Sequence, residues 1–266
     1  MAKPARSFLL LLFLAIAAGL YADSAADLVM KAVVRISGRS KTGDPIMGTG
    51  FLVQAGGSNR RRAWLVTACH VFQQVNGDTV DLLLRRRRRD RVESFEQAYQ
   101  IRSGALPRFR ADGGSDVAAL LLELPADSDC AMLSRTMLAA ENDFSSARIS
   151  VGSGLMIFGF PYGESFADTG NCLIRSGLIS SGPLTPVSDY PYFLADFEVF
   201  AGYSGAPVVA RAHDQMLIAG MVLEEVFLEE LRPGRKKTMR TSRGLGLARV
   251  INASTIRDFI AVQEKR

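Results

Sequence analysis

The sequence predicts an all-β protein, either a barrel or a sandwich, with a helix at its C-terminal end. Short apolar runs rich in Val, Ile, Leu and Phe recur at fairly regular spacing, separated by Gly, Pro, Asn and Asp. The alternation of strand and helix patterns that marks a parallel α/β sheet is missing from the sequence. With 266 residues, 48% of them hydrophobic, the chain is long enough for one large or two small domains.

The first residues are typical of a secretory signal peptide. Lys3 and Arg6 precede an apolar run at residues 8–20, and small residues then offer cleavage after Ala22 or, as the weaker site, after Ala26. The run is shorter than the roughly 20 residues that a membrane-spanning helix needs. We therefore expect residues 1–22 to be removed and the mature chain to be exported, periplasmic or secreted, and free of the membrane. An uncleaved anchor is the alternative.

Strand patterns follow along the rest of the chain. In order they are KAVVRISGR, GTGFLVQ, RAWLVTA, TVDLLLRRR, VAALLLEL, GLMIFGFP, CLIRSGLIS, YFLADFEV, APVVARA, QMLIAGMVLEEV and GLGLARV. A charged, serine-rich segment near residues 139–148 is the best internal boundary. We therefore expect one β domain at residues 27–138 and a second at residues 139–251.

Two helical segments are predicted. Residues 70–75 suit one short turn of helix directly after a strand. Residues 252–266 suit a terminal helix, because Asn252 or Ser254 can cap it and because Ile256 and Ile260 lie on one helical face.

Charge and cysteine content exclude several classes of function. The net charge of +5 is modest and gives no reason to expect a nucleic-acid partner. The basic run at residues 85–91 has no interleaved aromatic residues, so we interpret it as a solvated strand end and hairpin, with a polyanion site as the alternative. Three cysteines leave open either a Cys130–Cys172 bridge or three buried thiols. No C-x-x-C pair occurs and there are only two histidines, so we expect no metal site.

Three residues carry the predicted chemistry. His70 follows a hydrophobic strand directly, so the backbone holds it as a general base should be held. Asp116 lies next to a very apolar strand and should seek a charged partner such as an imidazolium. Ser204 lies on a tight turn between two glycines, and it becomes a nucleophile when a base takes its proton. The remaining histidine, His213, is interpreted as an exposed turn residue, and Asp112 is the nearest competitor of Asp116.

The turn around Ser204 also suits an oxyanion. The backbone N–H groups of Gly202 and Ser204 can point into one small hole where the carbonyl oxygen becomes negative. Gly202 has no Cβ to obstruct that approach, and Gly205 lets the chain turn away sharply.

The segments GTGFLV, TACH, SDVAAL and GYSGAP together resemble the trypsin/chymotrypsin-like serine peptidases, above all their bacterial exported HtrA-like branch. The resemblance extends over residues 32–260. It implies two packed six-stranded antiparallel β-barrels, endopeptidase activity on polypeptide substrates and no cofactor. It also implies that His70 is the base, that Asp116 orients it and that Ser204 is the nucleophile.

The sequence departs from the family pattern at several points. Tyr203 stands where members activated by cleavage have an aspartate, so activation of that kind is not expected here. Ala206 replaces a commoner glycine, and Cys69 replaces a commoner alanine before the histidine. The chain ends at Arg266, where many HtrA-like members continue into a PDZ module, so the resemblance is to a form without one.

The specificity pocket is the least defined part of the prediction. By resemblance, Glu198, Gly220, Leu223 and Glu224 are candidates for its lining. If Glu198 forms the pocket floor, cleavage after Lys or Arg follows; an exposed glutamate is the alternative, and the HtrA-like branch favours Asp196 at that place.

Two other functional classes compete with a peptidase of this kind. An α/β-hydrolase requires the order serine, acid, histidine and a βαβ pattern, and neither is present. A protease-shaped binding protein with a misaligned triad is the stronger alternative, because a sequence gives residue types and no distances.

Overall fold

The computed structural model describes residues 24–57, 59–89, 91–212, 215–233 and 238–265. The predicted signal peptide at residues 1–22 and the predicted turn residue His213 lie outside these ranges. The strands are β1 Val33–Arg39, β2 Pro45–Gln54, β3 Arg62–Ala68, β4 Thr79–Arg88, β5 Arg91–Gln100, β6 Arg102–Ser103, β7 Leu106–Pro107, β8 Arg110–Asp112, β9 Val117–Glu123, β10 Gly154–Gly159, β11 Leu173–Ile179, β12 Tyr192–Asp196, β13 Pro207–Ala212, β14 Gln215–Pro233 and β15 Thr238–Asn252. The α-helices are α1 Ala25–Ala32, α2 Cys69–Gln74, α3 Glu141–Ser145 and α4 Ala253–Glu264, and short 3-10 helices occur at Arg135–Met137, Pro161–Gly163 and Ala167–Thr169.

The first half of the chain forms a seven-stranded sheet with the order β5-β4-β1-β2-β3-β9-β8. Its neighbouring strands are antiparallel, and a separate ribbon pairs β6 with β7. The central strands β2 and β3 contribute consecutive buried residues, among them Phe51, Leu52 and Leu65. The main sheet of this half therefore has one strand more than the six expected for each barrel, and the β6-β7 ribbon is additional to it.

The second half forms a closed six-stranded barrel with the order β10-β11-β12-β15-β14-β13. Pairing of β10 with β13, in the register Leu155↔Ala210, closes the ring. The predicted class, an all-β fold with a C-terminal helix, is thereby confirmed. The boundary between the two predicted domains stays a prediction, although the strands of the first sheet end at Glu123 and those of the barrel begin at Gly154.

The sequence patterns missed several elements, among them α1 and β5. Helix α1 includes Lys31 and Ala32, which were assigned to the first strand; it begins at a capping box in which Ser24 and Asp27 exchange hydrogen bonds. Strand β5 lacks alternation of apolar and polar residues, and most of it is half-buried or exposed at the edge of the sheet. Backbone pairing with β4 makes this segment a strand, although its own sequence has no strand pattern.

The basic run at residues 85–91 folds as the predicted hairpin between β4 and β5, where Arg88 pairs with Arg91. Acidic neighbours accompany most of its guanidinium groups. Arg85 and Arg87 contact Asp129, while Arg86 and Arg88 contact Glu93. Each of these two carboxylates serves two arginines, so the ion pairs offset part of the positive charge of the run, and the alternative of a polyanion site stays open.

All three cysteines are free thiols. The possible Cys130–Cys172 bridge is therefore not formed. Both side chains lie near Arg85. The backbone N–H of Arg85 donates to Cys130 Sγ at 3.5 Å. Burial raises the pKa of Cys172 to about 12, and the positive charge of the Arg85 guanidinium opposes that effect to a smaller extent.

The described ranges, residues 24–57, 59–89, 91–212, 215–233 and 238–265, contain neither a candidate membrane helix nor a candidate metal site. None of their helices has the length and apolar character that a membrane crossing requires. No group of three or more His, Cys, Asp or Glu side chains in these ranges could hold a metal ion.

Helix α4 starts at the predicted cap. The Asn252 side chain accepts a hydrogen bond from the Ser254 N–H at 2.9 Å, and Ile256 and Ile260 on the inner face of the helix are fully buried. The cap is itself almost completely buried, so water cannot replace the oxygen that it supplies.

We expect Asn252→Ala to lower the free energy of unfolding by about 1 kcal/mol, because the first turn of α4 loses its acceptor. Asn252→Ser, which keeps a capping oxygen, should recover most of the loss. Urea denaturation of the three proteins measures the effect. An Asn252→Ala midpoint equal to that of the wild type would show that the cap contributes nothing.

Candidate active site

The pairing of β3 with β9 brings His70 and Asp116 together. Ala68, the last residue of β3, pairs with Val117, the first residue of β9. One step beyond, the Cys69 N–H donates to the Asp116 carbonyl oxygen at 2.8 Å and extends the antiparallel ladder. His70 comes next, in the first turn of α2, and so its side chain meets that of Asp116.

The Asp116 carboxylate contacts His70 twice. Oδ1 accepts from the His70 backbone N–H at 2.9 Å, and Oδ2 lies 2.7 Å from the imidazole Nδ1. An ionised carboxylate only accepts hydrogen bonds, so Nδ1 carries the proton and Nε2 presents a lone pair. About a third of each side chain is exposed, so solvent can reach the pair.

The conformation of Asp116 itself is unusual. Its φ is +55°, in the left-handed region that aspartate tolerates better than most residues. The competing acid, Asp112, accepts a hydrogen bond from the Ser115 hydroxyl instead and closes the same turn. From the second half of the chain, the Tyr192 hydroxyl donates to the Gly114 carbonyl at 3.2 Å and braces this turn.

Ser204 lies in the loop between β12 and β13, where a β-turn precedes it. The Tyr203 N–H donates to the Phe200 carbonyl at 3.1 Å, and Gly202, at the third position of the turn, has φ +98°. A type II turn requires positive φ at that position, which explains this glycine. A Cβ on Gly202 would also lie 2.2 Å from the Phe160 carbonyl oxygen.

Backbone contacts hold the Ser204 loop against the first half of the chain. The Thr49 N–H donates to the Ser204 carbonyl at 2.9 Å, and the Thr67 hydroxyl donates to the Thr49 carbonyl at 2.7 Å. Thr67 lies on β3, three residues before His70, which lies in the first turn of the following helix α2. These hydrogen bonds connect the Ser204 loop of the second half to the strand that precedes His70 in the first half.

The Ser204 hydroxyl does not hydrogen-bond to His70, although both residues belong to the described part of the chain. It donates instead to the Leu223 carbonyl on β14 at 3.0 Å. The structure therefore joins the predicted base to the predicted acid and leaves the serine hydroxyl bonded to Leu223.

The two predicted oxyanion donors are free to act. Within the described ranges, neither the Gly202 N–H nor the Ser204 N–H has a hydrogen-bond partner. The Ala201 carbonyl, in the same peptide group as the Gly202 N–H, accepts from the Tyr162 N–H at 2.5 Å. Because C=O and N–H point in opposite directions in a trans peptide, the Gly202 N–H faces away from Tyr162.

Tyr203 supports the turn by packing. Its ring is fully buried and stacks on Phe200 with the ring centroids 6.5 Å apart. Burial raises the pKa of its hydroxyl, and the nearby Arg175 partly opposes that effect. An aromatic residue therefore fills a place where a charged one would need a buried partner.

Cys69 is the other nucleophilic side chain next to His70. It is buried, and that burial, together with the charge of Asp116, raises the pKa of its thiol. A thiol held in its protonated form is a weak nucleophile, so the geometry favours Ser204 for that role.

The pocket candidates fare differently. Leu223 adjoins Ser204 through its carbonyl, whereas Gly220 lies inside the β13-β14-β15 ladder, where a Cβ would be 2.3 Å from the Ile251 carbonyl oxygen. The Glu198 side chain is 57% exposed and pairs with Arg175 at 3.5 Å, as the alternative of an exposed glutamate predicts, and its place in a specificity pocket stays a prediction. Glu224 is equally exposed and pairs with Arg249 at 2.9 Å.

Sequence reasoning missed the residues that support the site from the first half. Thr49 lies within the quoted motif GTGFLV, but nothing in its type distinguished a buried hydroxyl that binds the serine loop from an ordinary strand threonine. Arg35 on β1 donates from Nη1 to the Gly163 carbonyl at 2.8 Å, behind the Gly202 turn. A long-range contact of this kind leaves no local pattern.

Comparisons with known proteins identify the family and the fold of the chain. The family model described as "Trypsin-like peptidase domain" matches residues 48–218. No curated protein matches the chain significantly.

Solved structures share the fold. One is described as the HtrA-type protease AlgW with tripeptide, with a TM-score of 0.54 and 17% identity over 91% of this chain. This chain spans 63% of the length of that protease. Another is human heparin binding protein, with a TM-score of 0.53, 18% identity and coverage of 88% of this chain and 91% of that one. At such identities the likeness establishes the fold alone.

We expect Gly205→Ala to lower the free energy of unfolding by more than about 2 kcal/mol. Its φ is +88°, and a Cβ there would lie 2.0 Å from the Thr49 carbonyl oxygen. Gly154→Ala is the matched control in the same barrel, because it has nothing within 4 Å of the added atom. Urea denaturation of both variants gives the comparison, and equal midpoints would contradict the packing described here.

Proposed function

This chain belongs to the trypsin-like peptidases, and we propose that it is an exported serine endopeptidase that cleaves polypeptides through an acyl-enzyme intermediate. His70 acts as the general base, Asp116 orients it and Ser204 is the nucleophile. The observation that carries the proposal is the double contact of the Asp116 carboxylate with the backbone and imidazole of His70.

The proposed reaction begins with proton transfer. Nε2 of His70 takes the proton of the Ser204 hydroxyl as Oγ attacks the carbonyl carbon of the scissile bond. The carbonyl oxygen becomes negative and receives the N–H groups of Gly202 and Ser204. His70 then gives its proton to the leaving amine, and a water molecule, activated by the same imidazole, releases the acyl group from Ser204.

One rearrangement must precede the attack. The Ser204 hydroxyl has to leave the Leu223 carbonyl and turn toward Nε2 of His70. The proposed mechanism assigns this movement to rotation of the serine side chain between staggered positions. Only one neutral hydrogen bond is exchanged for another, so the energetic cost is about 1 kcal/mol or less.

The same serine contact favours a second candidate function, a protease-shaped binding protein. If the hydroxyl stays on Leu223, the imidazole has no proton to accept and the fold serves only to bind. Turnover separates the two candidates, because loss of triad alignment costs about a millionfold in rate.

Export is the cellular part of the proposal, and it rests on the charged and apolar pattern of residues 1–22. Cleavage after Ala22 leaves the capping box of Ser24 and Asp27 intact ahead of α1, whereas cleavage after Ala26 removes Ser24. We therefore favour Asp23 as the first residue of the mature chain.

A fluorophosphonate probe should label the purified protein, and Ser204→Ala should remain unlabelled, because the probe requires an activated serine hydroxyl. Ser181→Ala is the control; its hydroxyl accepts a hydrogen bond from the Leu194 N–H on the second barrel. In-gel fluorescence measures both. Folded wild-type protein that takes up no label would favour the binding protein.

Asp116→Asn should lower the rate of casein hydrolysis by about 10⁴, because an amide at this place favours the wrong imidazole tautomer. Asp112→Asn is the comparison, since Asp112 contacts Ser115 and not His70. A fluorogenic casein assay measures both rates. If Asp112→Asn is the variant that loses activity, the acid has been misassigned.

A further inference from the structure

We propose that Thr49 is a positioning residue that holds the Gly202 turn in the orientation needed to bind an oxyanion. The inference rests on the proposed peptidase function and adds a residue of the first half of the chain to the machinery of the second. Thr49 lies on β2, is completely buried and touches no reacting atom in the proposed mechanism.

The hydroxyl of Thr49 joins two segments of the second half. Oγ1 donates to the Gly202 carbonyl at 2.6 Å and accepts from the Phe160 N–H at 3.2 Å. A hydroxyl is able to do both at once, whereas a methyl group in its place does neither.

The backbone of Thr49 completes the connection. Its N–H donates to the Ser204 carbonyl at 2.9 Å, and its own carbonyl accepts from the Thr67 hydroxyl at 2.7 Å. Thr67 belongs to the strand that leads to His70. One residue thus ties the base-bearing strand to the loop that carries the nucleophile.

These bonds act on consecutive peptide groups of the serine loop. The carbonyls of Ala201 and Tyr203 are held by the N–H groups of Tyr162 and Ala206, at 2.5 and 2.8 Å. Thr49 holds the other two carbonyls, those of Gly202 and Ser204.

The peptide group whose carbonyl Thr49 Oγ1 holds lies between the two that carry the oxyanion donors. Rotation of this middle group would turn the Gly202 N–H and the Ser204 N–H relative to each other. Glycine at position 202 offers little resistance to such rotation, because its backbone is less restricted than that of other residues. The Phe200 carbonyl holds the N–H end of this peptide group, that of Tyr203, at 3.1 Å, and the hydroxyl of Thr49 holds its carbonyl end, so that both ends are restrained.

The test compares the wild type with Thr49→Val, which keeps the shape of the side chain and removes the hydroxyl. Stopped-flow measurement of p-nitrophenyl acetate hydrolysis yields the acylation rate constant and the apparent affinity for the ester without knowledge of side-chain preference. Removal of one oxyanion donor costs about 10²–10³ in rate, so we expect the acylation rate constant to fall about 10²-fold. The apparent affinity and the pH midpoint should change little, because His70 and Asp116 remain in place.

A second pair of variants isolates the hydroxyl if Thr49→Val does not fold. Thr49→Ser and Thr49→Ala differ only by the oxygen atom, and Thr49→Ser should acylate much faster than Thr49→Ala. Ile260→Val, on the buried face of α4, is the stability control; it should lower the urea midpoint without slowing acylation.

The outcomes are distinct. A Thr49→Val protein that acylates at the wild-type rate, or a serine variant no faster than the alanine variant, overturns the role of Thr49 while wild-type turnover leaves the peptidase function intact. A wild-type protein that shows neither an acylation burst nor fluorophosphonate labelling removes both proposals together.

Discussion

The close contact of Gly205 with the first half of the chain is the constraint on which the site depends. The backbone there passes so near the Thr49 carbonyl and the Thr67 hydroxyl that no side-chain carbon fits between them. This approach allows the Ser204 carbonyl to accept a hydrogen bond from the Thr49 N–H. Thr49 is bonded in turn to Thr67 on β3, the strand that precedes His70. Without this close approach, the two halves of the chain would carry their functional residues on separate surfaces.

Two different hydrogen-bonded arrangements then set the geometry of the two halves where they meet. In the first half, a β ladder continues one step past Ala68 and Val117, so that an acid and a base become neighbours through backbone pairing. In the second half, a type II turn and a buried hydroxyl orient peptide groups. A buried polar group left unpaired costs about 1–3 kcal/mol, which makes the hydrogen-bonded arrangement of this turn strongly preferred.

The serine hydroxyl is the one catalytic group that the surrounding structure does not hold in its proposed working position. The Leu223 carbonyl offers it an acceptor at 3.0 Å, while the imidazole and carboxylate are already joined. The candidate base is thus already oriented by its carboxylate, whereas the candidate nucleophile is bonded elsewhere. The two proposed functions, peptidase and binding protein, differ in whether the Ser204 hydroxyl reaches the imidazole.

The sequence by itself determined the all-β class, the terminal helix with Asn252 or Ser254 as its cap, and the three candidate catalytic residues. Apolar periodicity, capping and short motifs are local, and each is written in neighbouring residues. Only the tertiary structure decided that Glu198 faces solvent, that the cysteines are free and that Thr49 holds the Gly202 turn. Each of these features depends on how segments far apart in the chain pack together, and no local pattern encodes that packing.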